Sequence, residues 1–172
     1  MVWAIIVVVL LAGADQLLKL AVKTNIPLDG SVPVINGFFN LTNRQNTGAA
    51  WSFLADKNWG IYFLIAASAI MTIVLLAIIW RSSNMRLKAC LTVIAAGSVG
   101  NLIDRIRDRS VTDYLDFHFG NYIFPTFNLA DILVVCGTIL LGLLILTDHS
   151  LLQSKPEVIE SEEDKNAADR ND

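Results

Sequence analysis

The chain has 172 residues, 54% of them hydrophobic and 17% charged, with a mean hydropathy of +0.54 and a net charge of −3. It lies well to the apolar side of a soluble globular domain, and no nucleic-acid partner is expected of it. Its two cysteines, Cys90 and Cys136, fall inside apolar runs and read as small packing residues. Its two histidines, His118 and His149, stand near no Cys and in no H-E-x-x-H arrangement, so a zinc site would lack ligands and neither a metal nor a cofactor is expected.

Four runs, at residues 2–22, 59–80, 87–103 and 129–146, are long enough to cross a hydrocarbon core. The predicted fold is all-α: a four-transmembrane-helix bundle with a small extracytoplasmic β-rich segment. The first run contains Ala12-Gly13-Ala14, which has the small-residue pattern of a secretory cleavage site. No Lys or Arg precedes it and the apolar pattern continues to Val22, so an uncleaved helix is expected. Near its end, Asp15 and Lys19 are one turn apart, and a simple i,i+4 ion pair is the plain account of them.

The next segment, residues 23–58, is too long for a plain connector. Val32-Pro33-Val34-Ile35, the turn signal Asn36-Gly37 and Phe38-Phe39-Asn40-Leu41-Thr42 read as a small hairpin. With Phe38, Phe39, Trp51 and Phe53 on it, the segment would lie at the lipid surface, unless it merely covers the bundle. Trp59 and Trp80 bracket the second run as an aromatic belt would. On the third run Gly97, Asn101, Asp104 and Arg105 recur at helical spacing and share a face turned from lipid; the alternative is a packed helix end with an Asp104–Arg105 surface pair. Gly97 and Gly100 would admit a close neighbour. Ser98 lies in a near miss to a serine-hydrolase elbow, but inside an apolar helix it reads as a packing residue.

Asp113 stands in the short apolar loop Val111-Thr112-Asp113-Tyr114-Leu115, and Asp131 at the mouth of the last run. Helix capping explains Asn128, and the helix dipole favours an acid in the first turn at Asp131; neither explains Asp113. An ionised Asp at the middle of a spanning helix costs about 2.5 to 3.5 kcal/mol even on lenient scales, so such groups usually serve a site. The tail from residue 153 carries seven acids against three bases, a net of −4, and is expected to be disordered and solvated. The chain thus divides into a membrane domain over residues 1–150 and an acidic tail over 151–172.

If the four helices alternate in direction, Asp15, Lys19, Asn101, Asp104, Arg105, Asp113, Asn128 and Asp131 gather at one membrane face. Arg81, Arg86 and Lys88, in a loop without acids, favour a cytoplasmic placement of the opposite face and both termini. Two carboxyls with no better nucleophile beside them point to activated water. Repulsion raises one pKa until a single proton is shared; one member then takes a proton from water and the other donates to the carbonyl oxygen or the leaving amine. A proton-coupled membrane carrier is the alternative, although no internal repeat is visible. A non-enzymatic scaffold is the third.

From Trp3 to Leu146 the chain resembles lipoprotein signal peptidase, also called signal peptidase II, the membrane aspartic peptidase family of bacteria. The resemblance lies in Asp15-Gln16-Leu17-Leu18-Lys19, Asn46-Thr47-Gly48-Ala49-Ala50-Trp51, Gly100-Asn101-Leu102-Ile103-Asp104-Arg105, Val111-Thr112-Asp113-Tyr114 and Phe127-Asn128-Leu129-Ala130-Asp131. Arg109 departs from it, since the family often has Gly there. The resemblance implies cleavage of prolipoproteins before the diacylglyceryl-modified cysteine, with membrane lipid around the enzyme in a bacterial inner membrane. Asp113 and Asp131 would be the catalytic pair. Asn101, Arg105 and Asn128 would orient the peptide and the aspartates, while Asp15, Lys19, Asn46, Gly48 and Asp104 would support the site.

Overall fold

The computed structural model describes residues 2–48 and 59–148. The element order is α1 (Val2–Asn25), β1 (Ser31–Ile35), β2 (Phe39–Asn46), α2 (Gly60–Arg81), α3 (Met85–Asp108), β3 (Val111–Phe119), β4 (Tyr122–Ile123) and α4 (Leu129–Thr147). Each helix is long and apolar enough to span a membrane. At 1.5 Å per residue, even the 19 residues of α4 reach roughly 28 Å, close to the thickness of a hydrocarbon core. The first helix runs unbroken through Ala12-Gly13-Ala14.

α3 packs against all three other helices. That position accounts for its composition: its polar residues meet neighbours, whereas α1 and α2 turn Ile5, Val9, Leu10, Ile70, Ile73 and others outward, as lipid-facing surfaces do. One buried cluster joins Ala4, Leu75, Ile79, Leu91, Ile94 and Ala95 across α1, α2 and α3. Without a hydrophobic drive between helices in lipid, close approach depends on small residues. A Cβ at Gly97 would collide with the Ala130 carbonyl oxygen of α4, and one at Gly100 would lie 2.7 Å from Asp15 Oδ2. Both glycines are therefore requirements of packing.

The hairpin forms at the expected turn, with Gly37 at φ +74° and Phe38 N donating to the Ile35 carbonyl. Trp51 and Phe53 lie outside the described residues, as does the acidic tail. The sheet is larger than the sequence indicates. The stretch around Asp113, expected as a loop, is the nine-residue strand β3, which pairs antiparallel with both β2 and β4 in the order β1-β2-β3-β4. Leu41 lies opposite Leu115 and Arg44 opposite Asp113, so Thr42 and Asn43 together face the single residue Tyr114. Such a bulge reverses which side of the sheet successive residues face. It is pinned to the end of α1: Asn43 Nδ2 donates to the Ile26 carbonyl and Thr42 Oγ1 to the Gly30 carbonyl, both at 2.8 Å. Tyr114 then packs with Val22 and Ile26 in a second buried cluster that seats the sheet on the bundle.

Candidate active site

β3 carries Asp113, and α4 begins at Asn128 with Asp131 in its first turn. Asn128 is fully buried and links the two acids. Its Nδ2 donates to Asp113 Oδ1 at 2.7 Å, its backbone N–H donates to Asp131 Oδ2 at 3.1 Å, and its Oδ1 accepts from the Asp131 N–H at 3.1 Å. The last two contacts form a reciprocal capping box. The expected cap is present, and one residue serves both helix and site.

The other oxygens of the pair are held by asparagines too. Asn46 Nδ2 donates to Asp113 Oδ2 at 3.1 Å, and Asn101 Nδ2 donates to Asp131 Oδ1 at 2.7 Å. In each case the amide cannot turn over without losing a donor at its own oxygen. The Gly48 N–H donates to Asn46 Oδ1 at 2.9 Å, and the Lys19 ammonium donates to Asn101 Oδ1 at 2.9 Å. All four carboxyl oxygens therefore face donors whose direction is fixed.

Lys19, Asp15 and Asp104 are each 0% exposed, and the ammonium lies 2.8 Å from Asp15 Oδ2 and 2.9 Å from Asp104 Oδ2. The i,i+4 pair of the sequence reading is one edge of a buried triad. The surface Asp104–Arg105 pair is not formed: Asp104 is enclosed, and its other contacts are Gln16 at 2.8 Å, Arg107 at 3.3 Å and the Thr112 N–H at 3.3 Å. Asp15 reaches further, taking the Ala130 N–H at 3.0 Å and so tying α1 to the start of α4. Gln16 was not singled out from the sequence. A polar side chain in an apolar run is the signal that would have found it, and it bridges Asp104 and the Gly100 carbonyl.

Burial first, and then the charge of Asp131, pushes the Asp113 carboxyl up from 3.8 to about 7; its bonds to Asn46 and Asn128 act against that rise. A carboxylic acid and a carboxylate can thus coexist near neutrality. Both acids line an apolar cavity of about 650 Å³, together with Asn46, Asn101 and Arg105. Arg105 Nε is buried there with no hydrogen-bond partner among the described residues. Cys136 also lines this cavity and is exposed, where the sequence predicts a packing residue; Cys90 is half-buried. A second, polar cavity of about 430 Å³ lies on the sheet side of Asp113. Among the described residues no group of His, Cys, Asp and Glu could hold a metal ion.

The sequence profile of the Signal peptidase (SPase) II family matches residues 6–147 of this chain. A lipoprotein signal peptidase of Yersinia pseudotuberculosis is 43% identical over 141 residues, covering 80% of this chain and 81% of that protein. One of Nitratidesulfovibrio vulgaris is 40% identical over 129 residues, covering 73% and 78%. Two solved bacterial membrane enzymes superpose on the chain with TM-scores of 0.78 and 0.75 at 30% and 31% identity. The first pairing covers 90% of this chain and 94% of that enzyme, the second 86% and 95%. With its four spanning helices, its sheet and most of its length accounted for by these matches, the chain belongs to the signal peptidase II family of bacterial membrane proteases.

Proposed function

We propose that this protein is an aspartic endopeptidase that removes signal peptides from diacylglyceryl-modified prolipoproteins, cutting before the lipidated cysteine, with Asp113 and Asp131 as its catalytic pair. The observation that carries the reading is the bridging of the two carboxyls by Asn128 at the edge of an apolar cavity. In the resting state the pair holds one proton, on Asp113. Asp131 carries the charge and sits at a helix N-terminus, which favours an anion. A water between the two gives its proton to Asp131 as its oxygen attacks the scissile carbonyl, and Asp113 protonates the carbonyl oxygen. Collapse of the tetrahedral intermediate passes a proton to the leaving amine and regenerates the singly protonated pair. Arg105 is placed to hold a substrate carbonyl, and the apolar cavity suits a lipidated chain arriving sideways from the bilayer. The active site faces the extracytoplasmic side and both termini the cytoplasm. Membership of a peptidase family leaves the proton-coupled carrier without support.

The test is cleavage of a lipidated precursor by purified variants. Asp113→Asn and Asp131→Asn each lose on the order of 10²-fold or more, and the double variant is little worse than either. Wild-type kcat/KM falls as pH rises through about 7, where Asp113 loses the proton that the mechanism needs. Folded single variants that cut at near wild-type rate would sink the mechanism.

A further inference from the structure

Two cavities meet at Asp113, with Asn46, Phe124, Pro125 and Thr126 shared between their walls. One is apolar; the other adds Asp29, Arg44 and Asp116. Asp116 is a buried acid that the mechanism above leaves unused. Its side chain is 5% exposed, and Oδ2 receives His118 Nε2 at 2.9 Å and Asn40 Nδ2 at 3.4 Å. Its Oδ1 is buried with no partner at all among the described residues. A buried acceptor without a donor is unfavourable, and native structures keep such a group where a ligand, an ion or water completes it.

A precursor cut at Asp113 is amphiphilic in the same sense as the two cavities. Its signal segment and its diacylglycerol both call for apolar surroundings, while the chain beyond the lipidated cysteine is free to be polar. We propose that the polar cavity is the subsite for the first residues of the mature polypeptide, with Asp116 accepting a hydrogen bond from the residue that follows the lipidated cysteine. This rests on the peptidase reading above. With Asp113 set aside because it holds the proton, two acids on the cavity wall, Asp29 and Asp116, stand against the single base Arg44. A basic side chain in that position is therefore favoured over an acidic one.

Three lipidated precursor peptides differing only in Lys, Ser or Asp after the lipidated cysteine provide the test. Wild type should prefer Lys to Asp by about tenfold in kcat/KM, with Ser between. Asp116→Asn should bring the three within about twofold, acting through KM more than kcat. Arg44→Gln and Asp29→Asn, at exposed positions on the cavity wall, should widen and narrow the ratio respectively, and they carry the test should Asp116→Asn not fold. No preference in wild type, or ratios unmoved in the folded variants, overturns the subsite alone. Failure of wild type to cut any of the three overturns the peptidase reading and this one with it.

Discussion

Lys19 touches neither Asp113 nor Asp131, yet it decides which way the Asn101 amide faces, because an ammonium can only donate. Replacing it with Met leaves the buried Asp15 without a counter-charge and Asp104 with only the half-exposed Arg107 at 3.3 Å, and loss of one partner of a buried pair costs about 3–5 kcal/mol. Lys19→Met should therefore unfold far below wild type in thermal denaturation. The triple variant Asp15→Asn/Lys19→Met/Asp104→Asn should recover much of that stability, since Asn retains an acceptor for the Ala130 and Thr112 N–H groups. It should not recover turnover, because Asn101 is then free to present its oxygen to Asp131. Recovery of both would reduce Lys19 to a packing role. At Asp113 stability runs the other way. Its folded pKa lies above the ordinary value, so the folded state binds the extra proton and stability falls as pH rises from about 4 to about 7. Asp113→Asn lacks this dependence but must turn its amide N–H groups toward a fixed donor, so its melting temperature should gain on that of wild type as pH rises from about 4 to about 8. The sequence made these acids conspicuous through the cost of charge in an apolar run. It could not give the direction of three amides, which depends on contacts between residues such as Lys19 and Asn101, 82 positions apart.

At the scale of elements, the helices were legible because a spanning segment must satisfy its own backbone and present apolar side chains to lipid over its whole length. β3 was not legible. It is buried on both faces, with Val111, Thr112, Asp113 and Tyr114 all enclosed, so it lacks the alternation by which a half-exposed strand is recognised. The hairpin of β1 and β2 carried its own signal in Asn36-Gly37; the pairing of β2 with β3 has no local marker. The contact between α3 and α4 gives a prediction at this scale. Gly97→Ala drives a methyl group into the Ala130 carbonyl, and overpacking of this kind costs about 1–3 kcal/mol. The variant should melt lower, and kcat should fall because the displaced start of α4 carries Asn128 and Asp131. A melting temperature equal to wild type would mean that α4 can retreat without consequence.

For the molecule as a whole, the orientation we propose puts both ends of the chain and the α2–α3 loop on the cytoplasmic side of the bilayer. Reporters fused after residue 83 and at the C-terminus should then be active only as cytoplasmic reporters, and one inserted at Gly120 in the β3–β4 turn only as an extracytoplasmic one. The reverse pattern would invert the assignment and put the acids on the cytoplasmic face. The double duty of Asn128 has a consequence for biogenesis. The side chain that starts α4 is the one that gathers the two acids, so nucleating the last helix and assembling the pair we propose as catalytic are a single event. On the mechanism we propose, a chain whose fourth segment has not yet entered the bilayer holds Asp113 without its partner and cannot cut. Silence during insertion is then a property of the order in which the segments enter the bilayer.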